Sequence, residues 1–559
     1  MTVTATARPI DELADRYWLD YLEREPVSAT VLGYEGHDDR LPDPGPEGRA
    51  RERAANVAAL AQVRSMDRSN ASADELVTLD LVEVIAQTAI EIQDAKLYQL
   101  GVIDQLFGPQ QIISDLARLQ KVDTSERFDR FLERLGRYPA YIDAVVGVLD
   151  EGEAAGRTAA RVVVERVIGQ VERLADTPPE ASPVAEMVQP PAPEDRDRLV
   201  DVLRRDVYPA YHHLLDAMRA YAPAARDEVG LWATPGGDAA YRVAIKASTS
   251  LAEEPEDLHA YGLAQIEAIN EERAAIAARH GRTSWHAFLA ELDADPANHA
   301  TEPDGLVVRA AAQIELAMAE APRYFTRLPR AACIVQAVEA YREKDAPFAF
   351  YYPPTKDLSR PGIYFVNTYD LPQRPFHMLA TTTYHEAVPG HHFQIALEQE
   401  LEELSEFRRF GSRLAGTAFV EGWGLYAERL ADEIGLYEDD IERLGMLGAQ
   451  AWRAARLVVD TGIHALRWTR ERSVDFLIDC GLTPINATIE TDRYIAWPGQ
   501  ALAYMVGQRE ILRLREELER RDGARFDLRD FHDQTIGHGS LSLDALRREL
   551  PRWVRPQGA

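Results

Sequence analysis

Residues 383–393 read TYHEAVPGHHF, close to a zinc-hydrolase signature but with a break inside it. His385-Glu386 is the front half of H-E-x-x-H, in which two histidines one helical turn apart hold zinc and the glutamate acts as general base. The second histidine belongs at 389, where Pro389 stands, followed by Gly390, His391 and His392. In a straight helix His391 would lie roughly 9 Å along the axis from His385, and His392 about 10 Å. Zinc–nitrogen bonds are only about 2.0–2.1 Å, so neither pair meets in an undistorted helix. Pro389 cannot donate its N–H and its ring clashes with the His385 carbonyl, so the helix must bulge or kink there. Gly390 removes side-chain hindrance at the same point. A two-residue loop between Val388 and His391 would restore the equivalent of the motif. His385 and His391 are therefore the expected ligands, with His392 as the alternative. The bland reading is three polar surface histidines near a kink.

A third ligand is expected from LAGTAFVEGWGLYAERL, residues 414–430, which offers Glu421 and Glu428. Glu421 has apolar neighbours (Ala418, Phe419, Val420, Trp423), and burying an unpaired carboxylate there is costly unless a cation is near. Glu428, followed by Arg429, suits a solvated pair or a supporting position. A His₂Glu set leaves the fourth position of zinc for water. One zinc per chain is the expected cofactor, although such a donor set admits manganese or cobalt.

The formal charge of −30 argues against a nucleic-acid partner, because phosphate binding needs basic patches. Two cysteines, Cys333 and Cys480, exclude a disulfide framework and a thiolate zinc site, and fit a reducing cytoplasm. No apolar h-region opens the sequence and no apolar run reaches about 18 residues, so a cytoplasmic protein without a membrane span is expected. The oligomeric state is not legible.

Helical spacing dominates, over roughly 49–68, 72–99, 109–121, 126–136, 138–175, 195–221, 238–248, 254–280, 375–399, 405–433, 439–472 and 498–521. DTPPEASPVAEMVQPPAPEDRD, from Asp176, is the most linker-like stretch. PFAFYYPP (347–354) and GIYFVNTY (362–369) flank turn residues and predict a β-hairpin. The expected fold is mainly α with a small hairpin sheet. A helical N-terminal lobe, 1–280, would cover a catalytic lobe, 281–559, with the hairpin at 347–369 and metal helices within 375–433.

H-E-x-x-P-G-H-H followed after about thirty residues by E-G-W-x-L-Y resembles the bacterial family called domain of unknown function 885, grouped with zincin-like metallopeptidases. The likeness extends to GIYFVNTY, VVDTGIHALRWTRE (458–471), DRYIAWPGQALAYMVG (492–507) and FHDQTIGHGSLSLDAL (531–546). It implies a zincin-like, gluzincin-type fold and a hydrolase of peptides or other amides. The Gly390-His391 step is also similar to H-E-x-G-H of helical oligopeptidases, which supports His391 over His392.

Under that resemblance zinc sits on His385, His391 and Glu421, and Glu386 moves the water proton. Tyr494 or Tyr504 would donate to the oxyanion, and Arg493 would meet a substrate carboxylate or serve structurally. Core aromatics with satisfied hydroxyls are an equal alternative for the tyrosines. Asp460 and His464, four apart on one helical face, make Asp460 a candidate partner for a ligating histidine. His532 and His538 are candidates for the cleft wall. The GIYFVN strand, with Tyr364, would run at the sheet edge and bind extended substrate by β-augmentation. The leading expectation is a zinc peptidase for short peptides; a zinc hydrolase of another amide and an inactive helical scaffold are the rivals.

Overall fold

The computed structural model describes residues 9–555 apart from 339–342, 344–346 and 359. The opening eight residues and Ser359 of the expected turn lie outside it. The architecture is mainly α with one three-stranded sheet. The helix that organises the C-terminal half is Asp440–His464, started by Asp439, whose carboxylate accepts the Ile441 and Glu442 amides. From Leu444 onward almost every side chain on it is buried. It packs against Pro255–Arg279 on one side and Phe376–Glu386 on another, and an all-round apolar helix is stable only when so enclosed. Thr417–Glu433 lies against Ala503–Asp522, with Gly422 facing Gly507. A methyl group at Gly507 would come within 1.7 Å of the Ala418 carbonyl oxygen, so this close crossing requires glycine.

The predicted hairpin forms as β2, Ala349–Tyr352, and β3, Gly362–Val366. They pair antiparallel, with Ala349 opposite Val366 and Tyr352 opposite Ile363. A third strand absent from the sequence expectation, β1, Cys333–Ala337, pairs parallel with β3, with Cys333 opposite Gly362. The order is β1-β3-β2, so GIYFV is the central strand and not the edge. All five of its residues are buried. Tyr364 and Val366 enter the main core, whereas Ile363 and Phe365 join Val338 in a small cluster on the other face. Burial on both faces accounts for its continuous apolar run.

Two large cores form. Among the described residues, one is drawn from the stretch between Ile103 and Ala225, without Ala160 and Val163. The other joins most of the chain beyond Leu231 to the first helices, including Ala14, Trp18, Val77 and Leu81. The expected boundary at 280 thus does not coincide with a division of the core. The proline-rich stretch from Asp176 is not a free linker either. Pro183 opens the short helix Pro183–Met187, and Val184 and Ala185 enter the core drawn from 103–225.

Candidate metal centre

The 375–399 segment is not one kinked helix. Phe376–Glu386 stops, and His391–Gln399 starts a separate helix. A methyl group at Gly390 would lie 1.9 Å from the His385 carbonyl oxygen. The Trp423 indole N–H donates to the Pro389 carbonyl at 2.9 Å, tying the connection to the Glu421 helix. The result is that the two imidazoles meet. Their ring centres are 4.6 Å apart, nearly perpendicular.

Glu421 Oε2 lies 3.6 Å from His385 Nε2 and 3.4 Å from His391 Nε2. The three candidate ligand atoms fall within 4.8 Å of one another. Tetrahedral zinc with bonds near 2.05 Å needs ligand atoms about 3.3 Å apart, and the two carboxylate–histidine separations come close to that. Space is reserved at the same place. A methyl group on Gly424, one turn after Glu421, would approach His385 Cε1 to 2.8 Å and His391 Cε1 to 3.0 Å.

The charges of the cluster are strongly coupled. Burial disfavours the charged form of His385, but Glu421, Glu428 and Glu386 outweigh it and hold the imidazole's pKa up to about 10. Glu421, which burial alone would push up, is held well below the usual range by His385 and His391. A divalent ion meets the same demand as a proton between these groups.

The partner of His385 is Glu428 rather than Asp460. His385 Nδ1–H donates to Glu428 Oε1 at 2.9 Å, and Gln450 donates to the other oxygen at 3.0 Å. Gln508 in turn donates to Gln450 at 2.9 Å. This is the carboxylate–histidine pairing that fixes ligating imidazoles. Glu428 is fully buried, and Arg429 pairs elsewhere, with Glu272. Glu428's spacing from Glu421, two turns along the same face, was the sequence signal for its role; Gln450 and Gln508 carry none. His391 Nδ1 is buried without a hydrogen-bond partner among the described residues.

Asp460 accepts from the Tyr241 hydroxyl at 2.5 Å and from the Gly499 amide. Burial raises its pKa to about 7 despite these bonds. His464 receives the Leu231 amide and donates to the Tyr494 carbonyl, and burial lowers its pKa to about 3. Both therefore join helices to one another, away from the histidine pair. His392 is also placed as a strut, since Tyr351 on β2 donates to its Nδ1 and its Nε2–H donates to the Ala331 carbonyl. Neither nitrogen is left for a metal. His532 is enclosed between Phe325 and Trp423, bonded to Tyr426 and the Tyr324 carbonyl, and His538 pairs with Asp74 and Gln534.

Tyr364 is fully buried and contacts Thr383 at 3.3 Å. Tyr494 donates to Glu490 at 2.6 Å and receives Trp452 and Arg456, so its hydroxyl is committed. Arg493 donates to Gln500 at 2.8 Å and approaches Glu490. Tyr504 differs. Its ring lies parallel to that of His385 at 6.4 Å, and its hydroxyl has no hydrogen-bond partner among the described residues. Glu386 is half-buried, likewise without a hydrogen bond or ion pair among the described residues.

A family profile described as "Bacterial protein of unknown function (DUF885)" matches residues 26–550. A crystal structure from Colwellia psychrerythraea, of a protein named provisionally as a lipoprotein, superposes with a TM-score of 0.91 at 27% identity, covering 97% of this chain and 98% of that one. A solved structure from Shewanella oneidensis, of a protein named in the same way and of unknown function, gives 0.75 at 18% identity, covering 97% and 99%. The latter likeness is one of fold. No curated protein matches the sequence.

Proposed function

The chain belongs to the bacterial DUF885 family, and we propose that it is a zinc-dependent metallopeptidase of zincin-like kind that hydrolyses short peptides. The observation that carries the reading is the convergence of His385, His391 and Glu421 around a volume that Gly424 keeps clear. Zinc bound there would polarise a carbonyl and lower the pKa of water toward about 7. Glu386, next to a ligand and without a competing partner among the described residues, takes the proton of the attacking water and returns it to the leaving amine. Tyr504 is the donor available to the developing oxyanion, because Tyr494 is held by Glu490. Main-chain pairing with an extended peptide falls to β2, the edge strand that touches the His385 helix, instead of β3. Glu428 and Gln450 keep His385 oriented throughout.

Metal analysis of the purified chain tests this directly. We expect about one zinc per chain in the parent and in Glu386→Gln, and loss in His391→Ala and Glu421→Ala. Glu386→Gln should abolish peptide hydrolysis while keeping the metal. A parent that takes up no metal on reconstitution, or a Glu386→Gln variant with unchanged turnover, would falsify the reading. For location we retain the cytoplasm. The two structural relatives bear the name lipoprotein, so cell fractionation is the deciding measurement.

A further inference from the structure

Beside the candidate centre the Asp440–His464 helix carries an excess of positive charge that the mechanism above does not use. Gln450, which holds Glu428, is followed at three-residue steps by Arg453 and Arg456. Each step advances about 4.5 Å along the helix. Trp452 has both guanidinium groups near its ring, Arg453 at 4.6 Å and Arg456 at 4.7 Å. From the Pro484–Ala496 helix comes Arg493. Glu490 is the acid these three share. Burial pushes it up, but Arg456, Arg493, the Tyr494 hydroxyl and Arg453 outweigh that and hold it below the usual carboxylate range.

One carboxylate does not saturate three guanidiniums. Arg456 is 2% exposed and donates to Tyr494 and Glu490, yet its Nη1 is buried with no partner among the described residues. Arg493 Nε is likewise buried without one among those residues. Arg453 is half-buried and makes no hydrogen bond or ion pair among the described residues. Unpaired donors on buried cations are costly, and an anion of matching geometry removes the cost.

The position relative to the metal ligands limits what that anion can be. Arg456 lies 4.3 Å from the Tyr504 ring centre, and that ring is 6.4 Å from His385. Laid end to end, these separations place the guanidinium at most about 11 Å from the His385 ring. An extended residue spans at most about 3.3–3.6 Å. One or two residues fit between a carbonyl at the metal ligands and a carboxylate at the arginines.

We infer that Arg453 and Arg493, backed by Arg456, bind the free α-carboxylate of a peptide, so that the substrates are short peptides cut one or two residues from their C-terminus. This rests on the peptidase reading, and deepens it from a reaction to a substrate class. Arg453 supplies the unengaged fork and Arg493 the second donor. Trp452 keeps Arg453 in place by stacking.

The test uses the full chain stripped of metal, so that zinc itself cannot bind the probe. An acetylated alanine tripeptide is titrated by calorimetry as its free acid and as its C-terminal amide. The free acid should bind about tenfold tighter or better, as expected for a charge-assisted fork contact. Arg453→Gln should lose most of that preference with its melting temperature unchanged, and Arg453→Lys should restore part of it. Equal binding of acid and amide, no binding of either, or full preference in Arg453→Gln overturns the inference. Zinc-loaded protein separates the two readings. A preference for the acid in binding, with no peptide hydrolysed, keeps the carboxylate site and removes the peptidase. Hydrolysis of acid and amide alike keeps the peptidase and removes the carboxylate site.

Discussion

At the scale of single residues, function and stability separate cleanly around the histidine pair. Gly424 faces the tips of two imidazoles, and these can shift more easily than backbone. Gly424→Ala should therefore weaken zinc binding about 10–100-fold, comparable with losing a supporting contact, while the melting temperature falls little. Chelator competition beside a thermal melt reads both. Asp460 is the opposite case, a buried group with structural work and no part in the centre. Its folded-state pKa of about 7 lies above its usual 3.8. The folded chain thus holds an extra proton between those values, so this contribution is full below pH 4 and is lost as pH rises to 7. Relative to Asp460→Asn, the parent should lose on the order of 4 kcal/mol across that window. Denaturant titrations at pH 4.5, 6 and 7.5 measure it, and a pH-independent difference would contradict the assignment.

At the scale of elements, the Pro389-Gly390 break was readable as an interruption but not as an end. The sequence expectation was one helix with a loop in it; the chain instead makes two helices at an angle that brings His391 to His385. Rigid backbone surrounds Gly390, since the His385 carbonyl stands where a side chain would go. Gly390→Ala should consequently lower stability by more than about 2 kcal/mol and lose metal together, unlike Gly424→Ala. The sheet teaches a similar lesson. A short strand such as β1 has weak local signal, because five residues with mixed burial do not alternate clearly. Its parallel pairing is contributed from outside the hairpin, and that pairing moves β3 from edge to centre.

At the scale of the whole molecule, the division into a covering half and a catalytic half does not describe the packing. Tyr17 and Tyr34 meet Phe407 and Phe410, and the fully buried Arg408 donates to the Asp74 carbonyl and Thr78. These contacts join residues more than three hundred positions apart. A fragment of residues 281–559 would expose that surface and strip the Arg408 Nη1 of its partners Asp74 and Thr78, leaving the guanidinium only the His538 carbonyl. It should show no cooperative unfolding, whereas the full chain should; circular dichroism on both decides. Independent folding of the fragment would restore the two-lobe description.

Helical class, the hairpin, and the candidates His385, Glu386, Glu421 and a second histidine at 391 or 392 were legible in the linear chain, because periodicity, turn chemistry and metal-ligand residue types are local properties. The tertiary structure alone decided which second histidine faces Glu421 and which becomes a strut under Tyr351. It alone chose Glu428 over Asp460 as the carboxylate behind His385. Asp460 and His464 have the right spacing for a pair, yet spacing along one helix says nothing about what the neighbouring helices present to it. The partner of a buried polar group is set by whichever element packs against it, and here those elements lie from about forty to more than two hundred residues away in sequence.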